Sequence, residues 1–364
     1  MPTQETSPDR LYPSFADSRS VRIVVLADDL TGACDAGAAF LRAAHSVRVW
    51  FGTSVQFSAP ESVQAFNTNS RSLSPGSAAH AVSQAAKALG SDPNSLFFKK
   101  VDSAARGPFA AEILAAHRAL QTRAVLLAPA FPSAGRTVRD GILEIQDAGG
   151  EDKQINLARL FPFTSRGKVI GISSPSEIEP AIDSGKSLLI CDCETQADLE
   201  SLARAAAEIP GLLYAGSAGL AQALASLSHA RIAAALVPAV SRTLLISGSP
   251  HPATKLQLET LETDRFEGVR VLRLGRFFAK ARVRSAFRSH NPQALILTGG
   301  ETAMLAVDAF EANSFILQGE LAPGIPWGLV QGGVAHGCIV VTKSGGFGAP
   351  DAFNEILAAL RGTS

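Results

Sequence analysis

Two adjacent carboxylates, Asp28 and Asp29, end the apolar run of the string VRIVVLADDLTGACDAG, Val21 to Gly37. A Thr-Gly pair and a series of small residues follow, reading as the start of a helix. Side-by-side acids at the end of a β-branched run suit gripping hydroxyls, holding Mg²⁺ or taking a proton. Capping of the helix by Asp29 or Thr31 is the structural alternative, though a cap needs only one such residue. Three more polar clusters follow apolar runs in the first half: Asn67-Thr68-Asn69-Ser70-Arg71, the stretch from Lys99 to Gly107, and the stretch from Pro129 to Thr137. Arg71, Lys100, Arg106 and Arg136 suit a carboxylate or phosphate, arginine in bidentate fashion. Ser70, Ser103 and the aspartates, Asp102 among them, suit hydroxyls. One such cluster alone reads as a solvated loop; four after successive strands point to a small polyhydroxylated acid. The helix expected to open at Pro108 adds main-chain amides suited to an anion.

In the second half the recurring feature is glycine. Ser247-Gly248-Ser249 precedes a helix containing Thr254, Gly299-Gly300-Glu301-Thr302 opens another, and Lys343-Ser344-Gly345-Gly346-Phe347-Gly348 follows the apolar run Cys338–Val341. Glycine lets backbone approach phosphates closely, and helix N-termini offer unpaired amides at the positive end of a dipole. One Gly-Gly strand end is an ordinary turn, but three in one region favour a nucleotide-phosphate site. There is no Walker A sequence. Asp28-Asp29-Leu30-Thr31-Gly32 is not the Gly-rich fingerprint that a nicotinamide-linked hydroxy-acid dehydrogenase needs after its first strand.

The elements that must carry these clusters alternate. Strands are expected at Val21–Ala27, Val47–Phe51, Val63–Asn67, Leu96–Lys100, Ala124–Ala128, Ser187–Cys191, Leu212–Ala215, Thr243–Ser247, Val269–Leu274 and Ala294–Thr298. Helices are expected at Ser77–Leu89, Pro108–Leu120, Gln196–Ile209, Ser217–Leu227, Pro252–Leu261 and Thr302–Phe310. Such alternation predicts an α/β fold with mostly parallel sheet covered on both faces, a three-layer arrangement. At 364 residues two domains are the natural division. The expected layout is a polar arm over 1–20, an N-terminal domain over 21–230, a Pro-containing linker over 231–241 and a C-terminal domain over 242–364.

Bulk composition narrows the function classes. Lys plus Arg and Asp plus Glu are both 33, which leaves no basic footprint for nucleic acid or an anionic membrane surface. No apolar run reaches the roughly 18 residues needed to span a bilayer, and the first 20 residues lack the apolar core of a signal peptide. A cytoplasmic protein is therefore expected. Cys191-Asp-Cys193 does not match zinc spacing, so Cys34, Cys191, Cys193 and Cys338 are expected as buried free thiols. No heptad pattern marks an oligomer interface, and a homo-oligomer is left open.

Taken in order, the strings ADDLTGACDAG, NTNSR, KKVDSAARGPFAAEI, APAFPSAGRT, GSAGLA, SGSPHPAT, TGGETA, and PGIPWG with VTKSGGFG resemble the four-carbon acid sugar kinases, which act on threonate, erythronate or 3-oxo-tetronate. The resemblance covers Val21 to about Glu355. It implies two α/β domains with the active site in the cleft between them, the N-terminal domain holding the sugar acid and the C-terminal domain holding ATP. Carried over by motif, Asp28, Asp29, Ser70, Arg71, Lys100, Asp102, Ser103 and Arg106 form the acid-binding set. Ser249, Gly299, Gly300, Glu301, Thr302 and Gly345 are similar to the ATP contacts. The implied reaction is phosphorylation of a terminal hydroxyl, with Mg²⁺ and the glycine loops holding the triphosphate and Asp29 or Asp102 orienting the hydroxyl or taking its proton. Two departures stand out. Ala104 replaces a threonine usual in the family, removing a hydroxyl. Ser249 and Gly299 are only 50 positions apart, so a helix and a strand of the C-terminal domain are expected to be trimmed. A non-catalytic sensor with the same fold is the alternative these departures suggest.

Overall fold

The computed structural model describes residues 22–44, 46–52, 62–90, 95–146, 152–228, 235–262, 266–275 and 280–362. The expected arm, 1–20, and positions 231–234 of the expected linker lie outside them. The first half begins with β1 (Arg22–Ala27), α1 (Leu30–Ala39), β2 (Val47–Trp50), β3 (Val63–Asn67), α2 (Pro75–Leu89), β4 (Ser95–Lys100), α3 (Phe109–Leu120) and β5 (Ala124–Ala128). An antiparallel excursion follows, β6 (Arg136–Arg139), β7 (Ile142–Ile145) and β8 (Lys153–Asn156), with two one-turn helices, α4 (Leu157–Leu160) and α5 (Phe163–Arg166). Alternation resumes through β9 (Val169–Ile172), α6 (Ile178–Asp183), β10 (Leu188–Cys191), α7 (Gln196–Ala206), β11 (Leu212–Gly216) and α8 (Ala218–Ser226). The second half holds β12 (Thr243–Ser247), α9 (Pro252–Glu259), β13 (Val269–Arg273), α10 (Lys280–His290), β14 (Ala294–Thr298) and α11 (Gly300–Phe310). It ends with the hairpin β15 (Ser314–Ala322) and β16 (Ile325–Gln331), then β17 (Ile339–Lys343) and α12 (Ala352–Arg361).

The strands anticipated from apolar runs are present within a few residues of their expected bounds; central ones such as β1, β3, β5 and β14 are short β-branched or leucine-rich runs buried on both faces, while β2 alternates and the edge strand β13 is largely exposed. What the runs do not disclose is how they join. The two halves do not carry separate sheets. They share one 14-stranded sheet, ordered β13-β12-β14-β17-β16-β15-β2-β3-β1-β4-β11-β5-β10-β9, while β6, β7 and β8 form a small sheet of their own. The seam is an antiparallel pairing of β15 with β2, Phe315 opposite Val49. Residues 235–241 run without regular structure, with the Val240 amide donating to the Leu360 carbonyl of α12 at 2.8 Å.

Within each half the parallel strands reverse their direction of winding once. From β1 the chain crosses by α1 to β2 on one side; from β4 it crosses by α3 to β5 on the other. The crevice between adjacent β1 and β4 is thus a topological switch point, where open α/β sheets place ligands. The second half has its own, between β12, which leads to β13, and β14, which leads the other way. Three antiparallel pairings, β2 with β15, β15 with β16 and β16 with β17, make the second set of parallel strands run opposite to the first. In a flat sheet their carboxyl ends would lie on opposite edges. Sheet twist of about 20–25° per step, accumulated over the steps from β1 to β14, amounts to roughly 120–150° and turns the two carboxyl edges toward each other.

Alternation along the second-half strands sends Leu244, Ile246, Leu295, Leu297 and Val340 to the main core, and Leu245, Ile296, Ile339 and Val341 to a second core under Phe353, Ile356 and Leu357 of α12. Helix α1 is buried along its whole length, packing against strands of the first half and against α11 and β15 of the second. Its Ala- and Gly-rich composition is what lets it fit there. Cys34, Cys191 and Cys193 are buried free thiols as expected, and Cys338 is half-buried. No described helix is long and apolar enough to cross a membrane.

Candidate active site

Register places the first-half clusters side by side. Ala27 of β1 pairs with Asn67 of β3 and Lys100 of β4, so the segments beginning at Asp28, Thr68 and Val101 leave the sheet at one level. Asp29 does cap α1: its Oδ1 accepts from the Gly32 amide at 2.7 Å and its Oδ2 from the Thr31 hydroxyl at 2.9 Å. The capping and site readings both hold, because the same carboxylate also faces the cleft and binds Arg71. The Arg71 fork grips Asp28 through Nε and Nη2 at 2.7 and 2.9 Å, its Nη1 reaches Asp29 Oδ2 at 2.6 Å, and Asp102 lies 3.4 Å away. Arg106 holds Asp102 through Nε and Nη2 at 2.9 and 2.6 Å, and the Ala104 amide donates to the same carboxylate at 2.9 Å.

Burial alone would push the Asp28 and Asp102 carboxyls up; the charge and hydrogen bonds of Arg71, with Arg106 for Asp102, outweigh it and hold both below the usual carboxylate range. Two of the arginines expected to meet an incoming anion, Arg71 and Arg106, are thus already paired with the acids, while Arg136 lines the cleft and donates to the Ala134 carbonyl. Arg71 and Arg106 nonetheless line the cleft, with Asp29, Lys100, Asp102 and Ser103. Asp28 and Ser70, expected with them, do not line it. Asp28 lies behind, under the Arg71 fork, and Ser70 is buried with its hydroxyl 2.7 Å from that of Thr68. The first turn of α3, expected to offer amides to an anion, also stays out of the cleft.

Strand alternation separates the two lysines at the end of β4. Lys100 faces the cleft, its Nζ donating to the Val101 carbonyl at 2.8 Å. Lys99 points away and forms a fully buried ion pair with Glu112 of α3 at 2.8 Å.

In the second half Ser247, Thr298 and Lys343 are in register across β12, β14 and β17, so the three glycine loops emerge together. Gly299 has φ +91°, a conformation open to glycine, and no side chain caps α11 behind it. A methyl on Gly300 would run into Asp29 Oδ2, and one on Gly345 into the Ser249 hydroxyl. The last loop is held from below. Thr254 of α9 donates to the Gly345 carbonyl at 2.6 Å, and Gln257 donates to the carbonyls of Phe347, Gly348 and Ala349 at 2.9–3.0 Å. Lys343 Nζ donates to the carbonyls of Ser344 and Phe347 at 3.0 Å, and burial lowers its pKa to about 7.

Both sets of loops enclose one cleft of about 720 Å³. Ser249, Gly299, Gly300, Glu301, Thr302 and Gly345 all line it, opposite the acids and bases of the first half. Phe131 and Phe347 meet edge to face across it, ring centres 5.8 Å apart. Residues not singled out from sequence line it too. Ile145, Lys153 and Ile155 arrive on the small antiparallel sheet, whose available signal was the Asp140-Gly141 pair that turns β6 into β7 with both residues at positive φ. Asp35 arrives on α1, four residues after Thr31 and three after Gly32, hence on the same helix face. That spacing was the available signal. Asp35 Oδ1 is buried without a hydrogen-bond partner, and burial pushes the carboxyl up to about 7. Among the described residues no group of three or more His, Cys, Asp or Glu is arranged to hold a metal ion.

Comparison with known proteins agrees with this division. Residues 23–167 match the family model described as a sugar-binding N-terminal domain, and residues 272–353 match that of a nucleotide-binding C-terminal domain. A D-threonate kinase of Bordetella bronchiseptica is 29% identical over 395 aligned positions, covering 93% of this chain and 97% of that protein. A D-threonate kinase of Salmonella typhimurium is 26% identical, covering 93% and 98%. A 3-oxo-tetronate kinase of Cupriavidus necator is 27% identical over 73% of this chain and 77% of its own. A solved Haemophilus influenzae structure shares the fold, with a TM-score of 0.65 at 20% identity over 93% of this chain and 100% of that one. With both domain models matched in order and kinases of this kind aligned along nearly its whole length, the chain belongs to the four-carbon acid sugar kinase family.

Proposed function

We propose that this protein transfers the γ-phosphoryl group of ATP to a terminal hydroxyl of a four-carbon sugar acid, threonate, erythronate or 3-oxo-tetronate. The observation that carries the reading is a single cleft in which paired acids and bases from one switch point face three glycine loops from another. Lys100, Arg106 and Ser103 would bind the carboxylate and hydroxyls of the acid, with Asp29 fixed as an acceptor by Arg71 and Asp102 by Arg106. Because Ala104 brings no hydroxyl, the backbone of 103–106 and the Lys153 side opposite would complete the acid's surroundings. The open first turn of α11 and the Ser249 and Gly345 loops fit phosphates, and the cleft is large enough for both reactants.

Phosphoryl transfer of this kind depends on positioning and charge stabilisation. Mg²⁺ fits as an ion held mainly by the phosphates, since one or two carboxylates suffice for it there, and Glu301 is the carboxylate beside the α11 loop. When bound it would neutralise charge on the triphosphate. The chain's own contribution is to align the hydroxyl and exclude water where Phe131 meets Phe347.

The test is coupled ADP release with Mg²⁺-ATP across D- and L-threonate, D- and L-erythronate and their 3-oxo forms. Acid-dependent turnover on a member of the panel supports the kinase and names its substrate. Binding of an acid by calorimetry without turnover would replace it with a sensor.

A further inference from the structure

A kinase of this kind needs a group to receive the hydroxyl proton, and the two acids that sequence favours are poorly placed to do so. Both oxygens of Asp29 already accept hydrogen bonds, Oδ1 from the Gly32 amide and Oδ2 from Thr31 and Arg71. Both oxygens of Asp102 are held by Arg106, and Oδ1 by the Ala104 amide as well. A carboxylate so occupied is a weak base. Asp35 is different. It lines the same cleft, is buried on α1, and keeps Oδ1 without any partner. That oxygen lies 3.6 Å from where a Cβ on Gly324 would stand, in the turn between β15 and β16, and Phe347 of the last glycine loop packs on the same glycine. Asp35 therefore sits where the acid-binding half meets the loop facing the phosphates.

We infer that Asp35 is the general base of the reaction, its carboxylate, which lines the cleft and accepts no hydrogen bond from the described residues, receiving the proton of the hydroxyl that attacks the γ-phosphorus. This rests on the kinase reading above. As the new oxygen–phosphorus bond forms, the bond from that phosphorus to the β,γ-bridging oxygen breaks and the nucleoside diphosphate leaves with its electron pair. The hydroxyl proton passes to Asp35 and is lost to solvent when the products depart. A buried carboxyl without hydrogen-bond partners is suited to this by environment as well as place. The charged groups facing it are Lys100 of β4, Glu320 of β15 and Asp29 ahead of α1, with the neutral Cys34 thiol beside it. Burial and the two acids outweigh Lys100 and bring its carboxyl to about 7.

The experiment compares full-length wild type, Asp35→Asn and Asp35→Glu over pH 5.5–8.5 on the panel substrate, with melting temperature and ADP titration as controls for folding. The expected result is a kcat for Asp35→Asn lower by about 10²–10⁴-fold, with KM changed less than about threefold. The acid limb of the wild-type kcat profile should vanish from the residual rate and be shifted in Asp35→Glu. A folded Asp35→Asn that keeps kcat within about threefold, or keeps the wild-type acid limb, overturns the assignment while the kinase stands. A wild-type profile flat across this range overturns it whatever the variants do. No turnover by wild type on any acid overturns the kinase reading, and the base with it.

Discussion

The Asp29 carboxylate of the first half lies directly against the backbone of Gly300 in the second, close enough that no side chain could stand on Gly300. This one contact sets the acid-binding rim against the start of α11. It also explains a glycine at this position without appeal to turn geometry, since the space for a Cβ is already taken.

Replacing Gly300 by alanine should push Asp29 or the first turn of α11 aside. A displacement of about 1 Å in a reacting pair costs on the order of 10²-fold in rate, so acid-dependent ADP release should fall by about that factor. The melting temperature should move by only a few degrees. A Gly300→Ala enzyme with wild-type kcat/KM would show that the contact has no part in the chemistry.

Arg71→Ala should destabilise the fold at neutral pH by about 3–5 kcal/mol, because it leaves Asp28 buried and unpaired. Asp28 and Asp102 have carboxyls held below their unfolded values, so their contribution is present above about pH 4 and fades as pH falls through the lowered values. Urea unfolding of wild type and variant should therefore differ most near pH 7 and converge in acid. Equal stability at pH 7 would contradict the pairing.

Lys99→Met should cost a similar amount, since Glu112 would be left charged and buried. The double variant Lys99→Met, Glu112→Leu should recover most of the loss, because a buried ion pair can be replaced by apolar packing. Denaturant midpoints of the three proteins test this, and activity of the double variant should stay near wild type. A large activity loss would mean that Lys99 acts in the cleft after all.

Asp35→Asn should stabilise the protein above neutral pH even as it removes the proposed base. The folded carboxyl is raised to about 7 against an unfolded value of 3.8, so the folded state binds more protons between those limits and stability falls as pH rises through them. A rise from 3.8 to about 7 corresponds to an upper bound of about 4 kcal/mol. The melting temperature of Asp35→Asn relative to wild type should be higher at pH 8 than at pH 4.5. A difference independent of pH would show that Asp35 is not a buried ionisable carboxyl.

Much of this was legible in the chain itself. Short apolar runs such as Val63–Asn67 and Ala294–Thr298 are strands by composition, and the polar or glycine-rich residues that end them must lie at carboxyl edges. From that alone Asp29, Lys100, Asp102, Ser103 and Arg106 belong to one rim, and Ser249, Gly299–Thr302 and Gly345 to another. Local pattern cannot say how far apart two rims are or which charges pair. The antiparallel seam of Phe315 with Val49, and the twist across it, decided that both rims close on one cleft. Three-dimensional proximity decided that Arg71 is engaged by Asp28 and Asp29, 43 and 42 residues earlier. It withdrew Ser70 and Asp28 from the cleft and brought in Asp35 and the sheet bearing Lys153. Side-chain period fixes the face a residue takes, but only the packed neighbours fix whether its charge is paired, and that distinction separates Asp35 from the two acids beside it.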